Sequence, residues 1–283
     1  LKVACLQLCP ELGQKEKNLR RLLEALEEAS ALGAELCVAP ELSITGFSCG
    51  SLFPELAEPI PGPSVKAVAE IAQKRRLYVA FGLPEKEPAT GVIYNSAVLV
   101  GPDGKLLGRY RKTHLSLYLR GPLVSEEAYY FRRGEALPVF TTPLGGVGLL
   151  ICQDGDFPES WRTLCLLGAR LVLFLSASPK EFGPLWYCEL STMAYQNGFF
   201  IIAANRGGIE EFEFSGRKVK LEMLGGSLVA DPYGRIVARA PEGEQALLTA
   251  EIDLGLVDKA RQESCLLRDR RPELYGPIAG KPA

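Results

Sequence analysis

Histidine is almost absent from this chain: His114 stands alone among 283 residues. A single imidazole leaves little for a His/Cys zinc site, and no Cys-x-x-Cys pair occurs to replace it. It also leaves one residue to serve any Ser–His or Cys–His catalytic pairing, so a nucleophile elsewhere would need a carboxylate base. Charge excess is missing as well. Lys and Arg number 32 against 34 Asp and Glu, for a net charge of −2, so no basic footprint for nucleic acid or anionic lipid is present. Apolar runs such as 171–175 have the length of strands and fall short of the ~20 residues a membrane helix requires. The first eight residues read as a strand without the apolar core and small-residue cleavage site of a signal peptide. A cytoplasmic protein with neither nucleic-acid nor membrane partners is expected. Eight cysteines are scattered through apolar segments, which in such a setting implies free thiols. Cys5, Cys37, Cys165 and Cys188 read as small core hydrophobes; Cys9 and Cys49 lie near turns.

What is present is an alternation of strands and helices. Residues 1–8 read as a strand. From Lys15 to about Leu32, apolar residues fall at helical spacing (Leu19, Leu22, Leu23, Leu26), and Gly33 ends the pattern. A buried strand at 35–39, a helix at 63–75 and a strand at 76–82 follow. Residues 95–111 read as a hairpin around Gly101-Pro102-Asp103-Gly104-Lys105, and 227–239 as another around Asp231-Pro232-Tyr233-Gly234-Arg235. Between them come a strand at 146–152, a helix from about 159, a strand at 169–175, a helix from about 184 and a strand at 199–204. Strand–helix–strand units and a hairpin thus occur in each half. Two like halves, each a sheet with helices outside, predict an α/β fold, a four-layer α-β-β-α sandwich with two pseudo-repeated halves. One domain over 1–261 and a C-terminal tail or arm over 262–283 are expected.

Three strand ends carry reactive groups. Pro40-Glu41-Leu42 follows the strand at 35–39, Tyr110-Arg111-Lys112 ends the hairpin, and Ile151-Cys152-Gln153-Asp154 follows the central apolar strand. Strand ends are where a rigid scaffold presents side chains to a shared cleft. Taken singly, Cys152 reads as a core cysteine, Glu41 as a solvated turn residue, Lys112 as basic surface, and Glu126-Glu127 as a helix start capped by Ser125.

Taken in order, these segments resemble the nitrilase, or carbon–nitrogen hydrolase, superfamily, whose Glu–Lys–Cys triad matches Glu41, Lys112 and Cys152. The likeness extends through Glu127, Phe157-Pro158-Glu159-Ser160-Trp161-Arg162, Ala204-Asn205 and Asp231-Pro232 to about Asp253. It implies a cofactor-free, metal-free hydrolysis of a small amide or N-carbamoyl compound through a thioester. Glu41 is then the base, Lys112 and the N–H of Gln153 the oxyanion donors, and Glu127 the residue orienting Lys112. It also implies a homodimer or higher even oligomer. Gln153-Asp154-Gly155 is similar to the amidase pattern and unlike the Cys-Trp-Glu of nitrilases. The segments 41–53 and 112–118 look like the glutaminase domain of NAD synthetases, so an ammonia-supplying subunit is a second expectation. A binding protein that keeps the fold without turnover is a third. Tyr118, Phe47, Ser176 and Trp186 are candidate pocket residues, each equally readable as core. One departure stands out: Met193-Ala194-Tyr195-Gln196-Asn197 replaces the family's Arg-Ala-x-Glu-Asn. The charged stretch 210–222 is expected as a loop over the pocket, and His114 as a packing or hydrogen-bonding residue beside the site.

Overall fold

The computed structural model describes residues 1–120 and 123–280. The first half runs β1 (Lys2–Gln7), α1 (Lys15–Ala31), β2 (Leu36–Val38), the short α2 (Phe53–Leu56), α3 (Pro63–Arg75), β3 (Tyr78–Lys86), β4 (Ile93–Val100) and β5 (Leu106–Arg111). A small hairpin of β6 (Tyr118–Arg120) and β7 (Leu123–Ser125) and the short α4 (Glu127–Tyr130) lead into the second half. That half holds β8 (Val139–Thr142), β9 (Gly145–Ile151), α5 (Pro158–Leu166), β10 (Ala169–Ser176), α6 (Gly183–Asn197) and β11 (Phe200–Asn205). It continues through β12 (Ile209–Phe214), β13 (Arg217–Glu222), β14 (Leu228–Ala230), β15 (Ile236–Arg239) and β16 (Ala246–Glu251), then α7 (Gly255–Ser264) and α8 (Gly276–Ala279).

The two expected halves are visible in the strand order. One six-stranded sheet runs β16-β1-β2-β3-β4-β5 and the other β8-β9-β10-β11-β14-β15. In each, three central strands are parallel, an antiparallel strand flanks one side and a hairpin the other. Alternation along a strand sends neighbouring side chains to opposite faces. In β1, Val3 and Cys5 enter the core between the sheets, while Ala4 and Leu6 pack outward with Leu22 and Leu26 of α1 and Val65 and Val68 of α3. Because both faces are covered, the central strands read as continuous apolar runs rather than alternating ones. On the far side, Trp161 and Leu164 of α5 and Trp186 and Leu190 of α6 cover the second sheet. The four-layer sandwich is therefore the observed architecture.

Three local expectations change. Cys188, read as core, is exposed on α6, because the buried stripe of that helix passes through Trp186, Leu190 and Ala194 instead. The stretch 210–222 forms the β12–β13 hairpin rather than a loop. Ser125 ends β7 and caps nothing; its hydroxyl lies 2.5 Å from that of Ser116. Near the C-terminus, α7 is tied down by Arg261, which donates to the carbonyls of Gly198 (2.9 Å) and Ala169 (2.6 Å). Beyond it the chain continues as exposed short helical turns; positions 281–283 lie outside the described residues.

Candidate active site

Glu41 sits where the chain leaves β2. The next residue, Leu42, has φ of 45°, a left-handed conformation costly for a side chain of that size. The turn presses on β3 so closely that a Cβ at Gly82 would lie 2.6 Å from the Leu42 nitrogen and 2.9 Å from the Glu41 Cα. Glycine is the residue that permits this approach. Lys112 follows β5, held by backbone bonds to Asn95 (2.9 Å) and Gly134 (2.8 Å). Cys152 follows β9 and opens a short 3₁₀ turn, Cys152–Asp156, with φ of 44°. A strained strand-to-turn junction of this kind exposes a nucleophile on a rigid base.

These strand ends converge. The Lys112 ammonium lies 2.7 Å from Glu41 Oε1 and 2.8 and 2.7 Å from the two Glu127 oxygens. Asn95 Nδ2 donates to both carboxylates at 2.7 Å. Glu127 also accepts from the Ser116 N–H (3.1 Å) and hydroxyl (2.6 Å). All three charged groups are buried. Glu41 Oε2 is buried without a partner.

The electrostatics follow from that burial. Desolvation lifts the Glu41 carboxyl to about 7, against the pull of Lys112. Burial lowers the Lys112 ammonium, but Glu127 and Glu41 together override it and hold the pKa well above the usual lysine value. Burial, and then the charge of Glu41, push the Cys152 thiol up to about 12. At neutral pH Cys152 is therefore a thiol, and becoming a nucleophile requires a proton acceptor at the moment of attack.

The two loops are pinned by a residue the sequence did not single out. Asp154 is fully buried. One oxygen accepts from the Tyr110 hydroxyl (2.7 Å) and the Ile151 N–H (3.1 Å). The other accepts from the Thr113 N–H (3.2 Å) and hydroxyl (2.8 Å) and from the His114 N–H, and lies 2.9 Å from His114 Nδ1. His114 stacks on Phe157, with ring centroids 3.8 Å apart. Asp154 thus ties the Lys112 loop to the Cys152 turn. We expect Asp154→Ala to destabilise the fold by roughly 3 kcal/mol or more, since it strips several charge-assisted bonds at once. Urea unfolding checks this, and turnover should fall in the surviving folded fraction.

A pocket of about 180 Å³ opens on Cys152 and Gln153. Phe47, Tyr118 and Trp186 line it, and the Tyr118 hydroxyl donates to the Gln153 side chain. Ser176 is not on the pocket wall. It is buried behind the turn, where its hydroxyl favours the Cys152 thiolate. The β12–β13 hairpin supplies Leu221 to the wall. Through Glu210 it also holds the loop after Glu41: Glu210 accepts the N–H groups of Phe47 (2.7 Å) and Ser48 (3.0 Å) and pairs with the buried Arg206. No residue of Met193-Ala194-Tyr195-Gln196-Asn197 lines the pocket. That segment instead meets α5, where Arg162 donates to the Gln196 carbonyl at 2.9 Å. Among the described residues, no three His, Cys, Asp or Glu side chains converge as metal ligands.

The profile of the carbon–nitrogen hydrolase family matches residues 2–262. This chain belongs to that family. It is 34% identical over 282 residues to a nitrilase of Pyrococcus abyssi, covering 97% of this chain and 99% of that one. The carbon–nitrogen hydrolase of Helicobacter pylori G27 superposes on this hydrolase with a TM-score of 0.90 at 28% identity, covering 100% and 99% of the two chains. An amidase from Nesterenkonia sp. AN1 superposes with a TM-score of 0.80 at 26% identity, covering 98% and 99%. In that structure, a glutamate-to-glutamine variant, acrylamide has added to the active-site cysteine. No helix among the described residues of this hydrolase is long and apolar enough to cross a membrane.

Proposed function

We propose that this hydrolase cleaves small amides through a thioester on Cys152, with Glu41 and Lys112 as its catalytic partners and Glu127 holding Lys112. The observation that carries the reading is the buried ammonium of Lys112 clamped between two carboxylates beside a strained thiol. Such an arrangement is costly to fold and is expected where chemistry uses it.

The steps follow from the charges. Glu41 takes the thiol proton as sulfur bonds to the amide carbon, and the carbonyl electrons move onto oxygen. Lys112 and the N–H of Gln153, at the start of a 3₁₀ turn where backbone donors lack partners within the turn, stabilise that oxyanion. As the carbonyl reforms, the C–N bond breaks, and the proton on Glu41 passes to the departing nitrogen. Water then attacks the thioester, Glu41 takes its proton, and the acid leaves as the C–S bond breaks and sulfur is reprotonated. With the thiol at about 12 and the Glu41 carboxyl at about 7, the proton leaves sulfur only as the C–S bond forms, so the transfer is concerted with attack rather than preceded by a standing thiolate.

A panel of amides, N-carbamoyl amines, nitriles and glutamine, assayed for ammonia release, tests the reading. Turnover of amides supports it. Turnover of glutamine alone, rising when a synthetase partner is added, would replace it with the ammonia-supplying subunit; no turnover by any member would sink it. The pH profile gives an independent check. Glu41 must be ionised to act as base and takes a proton below about 7. So kcat/KM should decline with a one-proton slope as pH falls through about 7. No alkaline limb should appear within the ordinary lysine range, because Lys112 stays charged above it.

A further inference from the structure

The pocket wall carries two carboxylates, Asp156 and Glu189, and among the described residues no Lys, Arg or His. Lys112 and His114 draw on Asp156 from outside the wall, but no cation acts on Glu189, and the Lys112 ammonium is already engaged by Glu41 and Glu127. Glu189 lies one turn beyond Trp186 on α6, so the two side chains share the helix face that closes the pocket. Its Oε1 atom is buried and has no hydrogen-bond partner. The absent side chain of Gly155 leaves it room, since a Cβ there would stand 3.2 Å from that oxygen and 2.7 Å from Phe174. A polar atom removed from water and left unpaired is a cost that a ligand can relieve. Around it, Phe174 and Trp186 stack with centroids 5.6 Å apart, and Phe182 completes an aromatic lining, a setting that favours a cation over an anion. Asp156, on the same wall, is exposed and adds a second negative charge.

We propose that this hydrolase selects amides whose acyl part carries a protonated amine, with Glu189 as the residue that receives the ammonium. The proposal rests on the amidohydrolase reading above and adds the substrate class. Burial lifts the Glu189 carboxyl to about 7, with Asp156 adding to the shift. An entering ammonium draws it back to the charged form and so gains a charge-assisted bond.

The test compares β-alaninamide with its neutral isostere butanamide and with the anionic succinamate, using the full chain. β-Alaninamide should have the highest kcat/KM, by about tenfold or more over butanamide, and succinamate the lowest. Glu189→Gln should shrink the ratio of β-alaninamide to butanamide, and Glu189→Lys should shift preference toward succinamate. Should either variant fail to fold, the unmodified enzyme still decides: n-propylammonium should inhibit competitively and propionate should not. Hydrolysis of butanamide or succinamate at least as fast as β-alaninamide would overturn the proposal and leave the amidohydrolase reading standing. Hydrolysis of none of the three, together with silence across the wider panel, would instead remove that reading.

Discussion

Cys152→Ala should fold as the parent does and hydrolyse no amide measurably, a loss of about 10⁴-fold or more. With a slowly turned-over amide, the parent should gain the mass of the acyl group and the variant should not. The reasons are local. The sulfur is the only atom removed, and no hydrogen bond of the Asp154 network passes through it. The residue sits at φ of 44°, strain that alanine keeps, so the turn does not relax. Cys152→Gly makes the complementary measurement. Glycine adopts this backbone freely, so that variant should be inactive yet more stable than Cys152→Ala by about 1 kcal/mol, read from paired urea transitions. A gain in stability on deleting the thiol would mark the turn as strained for function rather than for packing. Cys152→Ser should be nearly as inactive as alanine. Glu41, at about 7, is a far weaker match for a hydroxyl proton than for a thiol proton.

The layers of this fold are written in its periodicities, while the contacts that make the site are not. The helix at Pro63–Arg75 was expected at those bounds and is found there, because its apolar positions and its N-terminal proline are both local signals. The paired hairpins were legible from their turn residues for the same reason. The three reactive strand ends could be named, since each follows an apolar run. Their meeting depends on the register of two sheets and on close approaches such as that at Gly82, which no local pattern encodes. Asp154 looked like one more acidic residue in a turn, and only the fold shows it bonded both to the Lys112 loop and to the end of β9. Glu189 was hidden for a related reason. A glutamate in mid-helix reads as solvated, and its burial is decided by the loop that passes over it at Gly155. Glu210 likewise belongs to a charged stretch, yet its carboxylate closes onto backbone amides 162 and 163 residues away in sequence. For Glu189 and Glu210 the sequence signal is a charged residue at helical or strand spacing with apolar neighbours, which is a weak signal alone.

Lys112→Ala should cost both activity and fold, and pH separates the two. Removing the ammonium leaves Glu41 and Glu127 buried together with only Asn95 donating to both. Breaking a buried ion network on one side typically destabilises by about 3–5 kcal/mol. Glu41 is already held at about 7 by burial and the Glu127 charge with Lys112 opposing them, so without the cation its folded pKa stays above the unfolded carboxylate value of ~4.3. A raised carboxylate pKa means that the folded state binds more protons, so stability is present at low pH and is lost as pH rises through that window. The deficit of Lys112→Ala relative to the parent should therefore be largest near pH 8 and shrink toward pH 5, seen as converging urea midpoints. Activity should not follow. Protonating Glu41 rescues the fold but removes the proposed base, and the proposed oxyanion donor is gone at every pH, a further loss of about 10²–10³. Lys112→Arg sharpens the distinction. It retains the charge, yet a planar guanidinium does not reproduce the single point of contact that lies within 2.8 Å of both carboxylates. It should recover part of the stability at pH 8 and little of the turnover. A variant that recovered the turnover as well would show that Lys112 acts only through its charge on Glu41 and Glu127.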